Sequence, residues 1–199
     1  MNVLVIGLGS MGKRRMRLLK EHEEIVLFGV DSNKERCKDV TETFGAKCYD
    51  SISEAVRNER LSCAFVCTSP LSHSNIITEC LSNGLHVFTE INLVADGYER
   101  NIQLASEKNL VLFLSSTFLY RKETQTIIDR VNGRCDKVNY IYHVGQYLPD
   151  WHPWENYKDY FIGDARTNGC REIMAIDMPW LVTAFGNIKK VHALKSKNT

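Results

Sequence analysis

The sequence lacks any apolar run near the roughly 18–20 residues that a membrane-spanning helix needs, and it has no internal repeat or low-complexity tract. It also lacks a charge of one dominant sign: 25 Lys and Arg against 24 Asp and Glu leave a formal net charge of +1. No bulk field therefore argues for nucleic acid or an anionic membrane as partner. The seven cysteines form no C-x-x-C pair, and no His/Cys group has zinc-like spacing. No metal is expected, and the cysteines read as reduced thiols of a cytoplasmic protein. The chain passes directly into a strand-like run, so no signal peptide is expected. What is present is ordinary for a globular protein: 199 residues, 44% hydrophobic and 25% charged, enough for one large or two modest domains.

Through residue 115 short apolar runs alternate with amphipathic segments. Strands are expected at 3–6, 25–30, 46–49, 63–67, 85–89 and 110–114. Helices are expected after Gly12 and at 33–43 (capped by Ser32 or Asn33), 51–58, 71–83 and 95–108. Cys63 to Cys67 is continuously apolar, as a parallel strand covered on both faces should be. The fold class is α/β, with an N-terminal doubly wound parallel sheet over 1–118. The texture then changes. A helix is expected at 120–132, an alternating strand at 137–147, an aromatic loop at 148–160, a helix at 170–185 closed by Gly186, and a further strand at 189–194. Residues 119–199 thus read as a partial α+β second domain.

The first turn carries the firmest chemistry. Gly7-Leu8-Gly9-Ser10-Met11-Gly12 follows one strand and opens a helix, and a second strand ends in Asp31. In this pattern Gly7 permits the turn, Gly9 admits a pyrophosphate to the backbone, and Gly12 brings helix and sheet together. The free N–H groups and dipole of the helix start favour phosphate. Asp31 accepts hydrogen bonds from a ribose diol and repels a 2′-phosphate, which favours NAD over NADP. The basic cluster Lys13, Arg14, Arg15 and Arg17 reads as a solvated helix face, with a role near phosphates for one member as the alternative.

Four markers together resemble the glucose–fructose oxidoreductase and inositol dehydrogenase (Gfo/Idh/MocA) family. They are Gly7-x-Gly9-x-x-Gly12, Thr68-Ser69-Pro70-Leu71-Ser72-His73, Gly84-Leu85-His86-Val87-Phe88-Thr89-Glu90, and Asn168-Gly169-Cys170-Arg171-Glu172 running to Phe185-Gly186. The resemblance implies a Rossmann domain and a C-terminal domain whose open sheet binds sugar-like substrates and often builds homo-oligomers. It places Thr68, Pro70, His73 and Glu90 at the cofactor with Ser10 and Met11. The implied activity is NAD-dependent oxidation or reduction at a sugar, polyol or nucleotide-sugar hydroxyl.

Two departures stand out against that family. Its Glu-Lys-Pro signature reads Glu90-Ile91-Asn92 here, and its second-domain histidine falls on Ile176. Neither isoleucine moves a proton. Replacement candidates are Glu172, which matches the family's acid, Asp177 on an apolar helix face, and His152 in the aromatic loop. Each has a plainer reading: a first-turn acid, a backbone partner and a loop packing residue, respectively. Trp151 and Trp154 offer aromatic faces to a sugar ring, or pack the loop onto the first domain. The alternative function is a non-catalytic NAD- or sugar-binding relative. Family members are also normally much longer.

Overall fold

The structure, a computed structural model, describes residues 1–134, 136–153 and 155–194. Trp154 lies outside the described residues. The chain runs β1 (Asn2–Ile6), α1 (Ser10–Leu19), β2 (Val26–Val30), α2 (Lys34–Phe44), β3 (Lys47–Tyr49), α3 (Ile52–Asn58), β4 (Cys63–Val66), α4 (His73–Ser82), β5 (His86–Thr89), α5 (Tyr98–Glu107), β6 (Leu112–Leu114), α6 (Lys122–Asn132) and α7 (Gly169–Phe185). Short 3-10 turns occupy Pro70–Ser72, Thr117–Tyr120 and three positions within 148–163.

The six strands form one parallel sheet in the order β3-β2-β1-β4-β5-β6. This is an α/β doubly wound Rossmann fold. Burial explains why β1 is apolar at consecutive positions. Val3 and Val5 pack into a core with Leu8, Met16, Leu27 and Val40, whereas Leu4 and Ile6 point into a second core with Val66, Ile77, Leu81 and Val87. Neither face of the strand reaches water, so neither tolerates a polar residue. Local signals fix the helix starts. The Asn33 side chain accepts from the N–H groups of Glu35 and Arg36, and Ser51 caps α3 through the Glu54 N–H.

The register positions the site. Ile6 pairs with Val30 on one side and Val66 on the other, Val66 pairs with Thr89, and Thr89 with Leu114. Five strands therefore end at one level. The order reverses between β2 and β4 around β1, so the loops after these strands diverge and leave a crevice at their carboxyl ends.

Beyond residue 118 the structure corrects two expectations. Neither 137–147 nor 189–194 forms a strand among the described residues. The alternation at 137–147 serves side-chain packing instead. Tyr140 and Tyr142 set their rings edge-on to Trp180 of α7 at 5.9 and 5.6 Å, and Tyr140 lies 4.8 Å from Phe185, while Ile141 between them is 95% exposed. A period of two was present without a partner to supply backbone hydrogen bonds. The C-terminal sheet through which homo-oligomers were expected is thus not formed by the described residues. No helix among them is long and apolar enough to cross a membrane.

Gly12 shows how tightly α1 meets β1: a Cβ there would lie 1.9 Å from the Gly7 carbonyl oxygen. Alanine gains about 1 kcal/mol of helix propensity, but relieving this backbone clash costs more. Gly12→Ala is therefore predicted to lower stability by about 2 kcal/mol net, read as an earlier urea midpoint. At Gly9 a Cβ meets nothing closer than Arg36 Nη1 at 3.8 Å, so Gly9→Ala is predicted to keep the wild-type midpoint.

Candidate functional site

The crevice begins at the glycine turn. Gly7 has φ of +87°, and a Cβ on it would meet the Cys67 carbonyl oxygen at 2.8 Å, so only glycine fits between β1 and β4. Gly9 caps α1 with no side-chain hydrogen bond, and space stands open beside it. The first amides of α1 thus face a cleft of about 310 Å³ lined by Gly7, Gly9, Asp31, Arg36, Thr68 and Ser69, among others. Unsatisfied N–H groups, the positive helix end and an approach no Cβ blocks are what a pyrophosphate requires. These residues fit a dinucleotide.

Asp31 does more than face the cleft. Its Oδ2 accepts from the Leu8 N–H at 2.7 Å and its Oδ1 from the Asn33 N–H at 2.8 Å, and the residue is only 8% exposed. The carboxylate ties the glycine turn to the end of β2. Arg36, five residues on, brings Nη1 to 3.6 Å from Asp31 Oδ2 and lines the same cleft. The sequence reading did not single out Arg36, because no arginine directly follows Asp31. The signal available was its place on the first turn of α2, which bends back toward the strand end.

The basic cluster resolves into distinct roles. Arg15 turns inward, with Nε 2.5 Å from Glu90 Oε1, Nη2 3.1 Å from Oε2 and 3.2 Å from the Ser115 hydroxyl, and its guanidinium 4.9 Å from the Phe88 ring centroid. This pair crosses from α1 to the end of β5. The Glu90 contact pushes the guanidinium pKa above its already high ordinary value. Arg15 was hidden in the sequence by its charged neighbours. Spacing alone would have marked it, since Met11 and Arg15 lie four apart on one helix face. His73 is 2% exposed. Its Nε2 reaches the Thr68 carbonyl at 2.9 Å and its Nδ1 meets the Asn92 side chain at 2.5 Å. Asn92 stands at the proline position of the family signature and anchors this histidine instead.

A second cavity of about 230 Å³ joins the two parts of the chain, with Met11, Thr68, Pro70, His73, Glu90 and Ile91 contributed by the sheet side and Phe161, Glu172 and Ile176 by the later segment. Ile91 and Ile176, at the expected positions of the family's lysine and histidine, line it together. Glu172 is the acid there. Burial raises its carboxyl pKa to about 7, with His152 pulling weakly the other way, and its Oε2 is buried without a hydrogen-bond partner. The Tyr160 hydroxyl and Trp151 Nε1 are likewise buried and unpartnered. Burial, with the nearby Glu155 and Glu172 carboxylates, raises the Tyr160 pKa. Unpartnered buried polar atoms are rare enough to mark a place built for another group.

The remaining candidates sit elsewhere. Asp177 is 3% exposed, and its Oδ1 accepts from Tyr142 at 3.1 Å and from the Trp180 indole at 3.0 Å. It lines none of the crevice cavities and fixes the aromatic packing on α7. His152 stacks on Tyr160 at 4.6 Å and bonds Glu155 at 2.6 Å. It therefore stands beside Tyr160, close enough to Glu172 to lower its carboxyl pKa slightly, and lines none of the crevice cavities. Among the described residues no group of His, Cys, Asp and Glu is placed to hold a metal ion.

The fold and glycine cradle define a dinucleotide-binding type of Rossmann domain. Residues 1–116 match the Gfo/Idh/MocA profile, described as an oxidoreductase family with an NAD-binding Rossmann fold, and the chain belongs to that family. It is similar to myo-inositol 2-dehydrogenase of Thermotoga maritima, 27% identical over 146 residues, covering 71% of this chain and 44% of the relative. It is also similar to biliverdin reductase A of Mus musculus, 27% identical over 137 residues, covering 66% and 45%. The chain thus spans less than half the length of these relatives. Among solved structures, GenD2 from gentamicin A biosynthesis in complex with NAD matches with a TM-score of 0.64 at 23% identity, over 67% of this chain and 39% of that one. The Bordetella pertussis WlbA dehydrogenase with NADH and UDP-GlcNAcA matches with 0.62 at 18% identity, over 65% and 40%. KijD10, a 3-ketoreductase of Actinomadura kijaniata with NADP and TDP-benzene, matches with 0.61 at 21% identity, over 66% and 42%. These likenesses show the fold.

The Arg15–Glu90 pair yields a stability prediction. Its side chains are only 16% and 11% exposed. Arg15→Met leaves Glu90 buried and unpaired and is predicted to cost about 3 kcal/mol. Adding Glu90→Gln should recover much of the loss in chemical denaturation. Strict additivity of the two changes would show that the pair is not coupled.

Proposed function

We propose that this chain is the cofactor-binding part of an NAD-dependent oxidoreductase acting on a hydroxyl of a sugar, polyol or nucleotide-linked sugar. The observation that carries the reading is the continuity of the site. A glycine cradle open to a pyrophosphate lies beside a cavity that holds an unpartnered carboxyl with a pKa of about 7. The names of similar proteins, an inositol dehydrogenase and enzymes bound to nucleotide sugars or their analogues, support the substrate class. A nicotinamide, when bound, supplies hydride acceptance from or donation to the carbinol carbon. The chain's own residues do the rest. Gly7, Gly9 and the start of α1 hold the diphosphate, Asp31 bonds the ribose, and Pro70, His73 and Glu90 shape the far end of the cleft. Glu172 takes the hydroxyl proton as alcohol becomes carbonyl and returns it in the reverse direction, with a pKa suited to either role near neutrality.

Asp31 favours NAD, since its carboxylate repels a 2′-phosphate. Arg36 at 3.6 Å softens that preference, and the solved relatives bind NAD, NADH or NADP. Tighter binding of NADPH than of NADH would reverse the assignment. A second reading is favoured by Ile91 and Ile176, which give the cavity no proton-transfer group at the family's positions. On it the chain is a non-catalytic NAD- or sugar-binding relative. A screen of sugars and nucleotide sugars by nicotinamide absorbance separates the two, because complete inactivity of a protein that binds NADH selects the second.

Glu172→Gln is predicted to lower turnover at least about 100-fold, the weight of a general base, with NADH affinity unchanged. Stability supplies an independent check with the sign fixed by the raised pKa. The protonated form suits the folded state. The stability it contributes is therefore full below the ordinary value of 4.5 and is lost as pH rises toward about 7. The variant and wild type should melt together in acid, and the variant should melt higher at mildly alkaline pH. Parallel melting curves at every pH would remove the raised pKa from the account.

A further inference from the structure

A third cavity, of about 150 Å³, adjoins the Glu172 cavity, with Met11, Ile91 and Ile176 lining both. Its other wall carries Arg14, Arg15, Ser116, Thr117, Phe118 and Arg121. Arg15 is neutralised by Glu90. Arg14 and Arg121 pair with no carboxylate among the described residues, and Arg121 rests its guanidinium 4.1 Å from the Phe118 ring centroid. The Ser116 hydroxyl is buried in this region with no hydrogen-bond partner. Two solvent-reaching guanidinium groups with no carboxylate partner and an orphaned buried hydroxyl thus border one cavity. The space suits an oxyanion, since a water molecule takes about 30 Å³ of liquid volume and a carboxylate or phosphate group a few times that.

We infer that Arg14, Arg121 and Ser116 form a subsite for an oxyanion carried by the substrate, either the carboxylate of a uronic acid or a phosphate of a phosphorylated or nucleotide-linked sugar. The inference rests on the proposed reading of the Glu172 cavity as the reaction site, and it narrows the substrate class to anionic sugars. Ile91 and Ile176 then have a use. They form an apolar floor between the acid and the arginines, suited to the apolar face of a sugar ring. The ring's hydroxyl points to Glu172 while its charged substituent reaches the guanidinium groups. Arg121 supplies charge-assisted hydrogen bonds with the planar geometry that carboxylate and phosphate prefer. The Phe118 ring holds that guanidinium in place. Chemistry at the reacting carbon is unchanged by this contact. The subsite fixes which end of the sugar faces the acid.

The test is calorimetric titration of the NADH-loaded chain with glucuronate, uridine diphosphate and neutral glucose. The expected result is that at least one anion binds about tenfold or more tighter than glucose. Arg121→Ala and Arg14→Ala should each weaken that anion about tenfold, near the weight of one charge-assisted hydrogen bond, and Arg121→Lys should recover part of the loss. NADH affinity should stay within about twofold of wild type in every variant. A response to glucuronate alone assigns the carboxylate, and a response to uridine diphosphate alone assigns the phosphate. Anions that bind no tighter than glucose, or arginine variants that leave anion affinity unchanged, overturn the subsite. Arginine variants that weaken NADH by the same factor also overturn it, because the arginines then serve the cofactor. NADH affinity is measured first, and its absence contradicts the proposed function itself. The anion titrations on NADH-free protein then still decide the subsite. Melting temperature, read by circular dichroism, confirms that each variant folds.

Discussion

The glycine contact between the start of α1 and the turn that ends β1 is the constraint on which the remaining geometry depends. Gly12 lies against the Gly7 carbonyl at a separation no side chain could share, and Gly7 in turn fits against Cys67 at the end of β4. This contact directs the α1 amides at the point where the strand order reverses. It also fixes the outward face of α1, so that Met11 borders the Glu172 cavity and Arg15 reaches Glu90 just after β5. A looser helix would lose both the anion-binding end and the ion pair that carries the helix position across the sheet. Asp31 completes the arrangement from the other side by accepting from the Leu8 amide.

The site combines a glycine cradle open at a helix start with an adjoining cavity that holds a buried acid. Apolar side chains stand at positions 91 and 176, and the charged groups of the two cavities lie around them. Glu172 is buried with a carboxyl oxygen free, and arginines gather on the opposite wall. The buried acid thus lies across an apolar strip from arginines that reach solvent. That is a coherent environment for orienting a polar substrate, and it differs from one in which a lysine and a histidine share the proton.

The Rossmann part was legible in the sequence because its signals are local. Continuous apolar runs of four to six residues, the glycine spacing and the caps Asn33 and Ser51 each act over a few positions, and the observed elements follow them. Residues 7–12, 31, 68–73 and 90 could be expected at the crevice because they follow strand ends or match family markers. Asn92 and Ser116 follow strands and were within reach of the same reasoning, whereas Arg15, Arg36 and Arg121 were not singled out for the site, since their roles depend on which elements meet in space. The second part was read less well. The alternation at 137–147 is real, but it lays Tyr140 and Tyr142 on Trp180, and a two-residue period cannot distinguish a paired strand from an extended segment packed on a helix. Asp177 was noted for its apolar neighbours, and the hydrogen bonds from Tyr142 and Trp180 that satisfy it were beyond sequence reading.

The central claim is that the glycine cradle with Asp31 holds a dinucleotide. The most direct measurement is an NADH titration followed by the fluorescence of the bound nicotinamide, run on the wild-type chain and on Gly9→Ala. The account predicts saturable enhancement for the wild type, and its loss in a variant that folds with wild-type stability. No change in the wild type at millimolar NADH, or equal binding by Gly9→Ala, would contradict it.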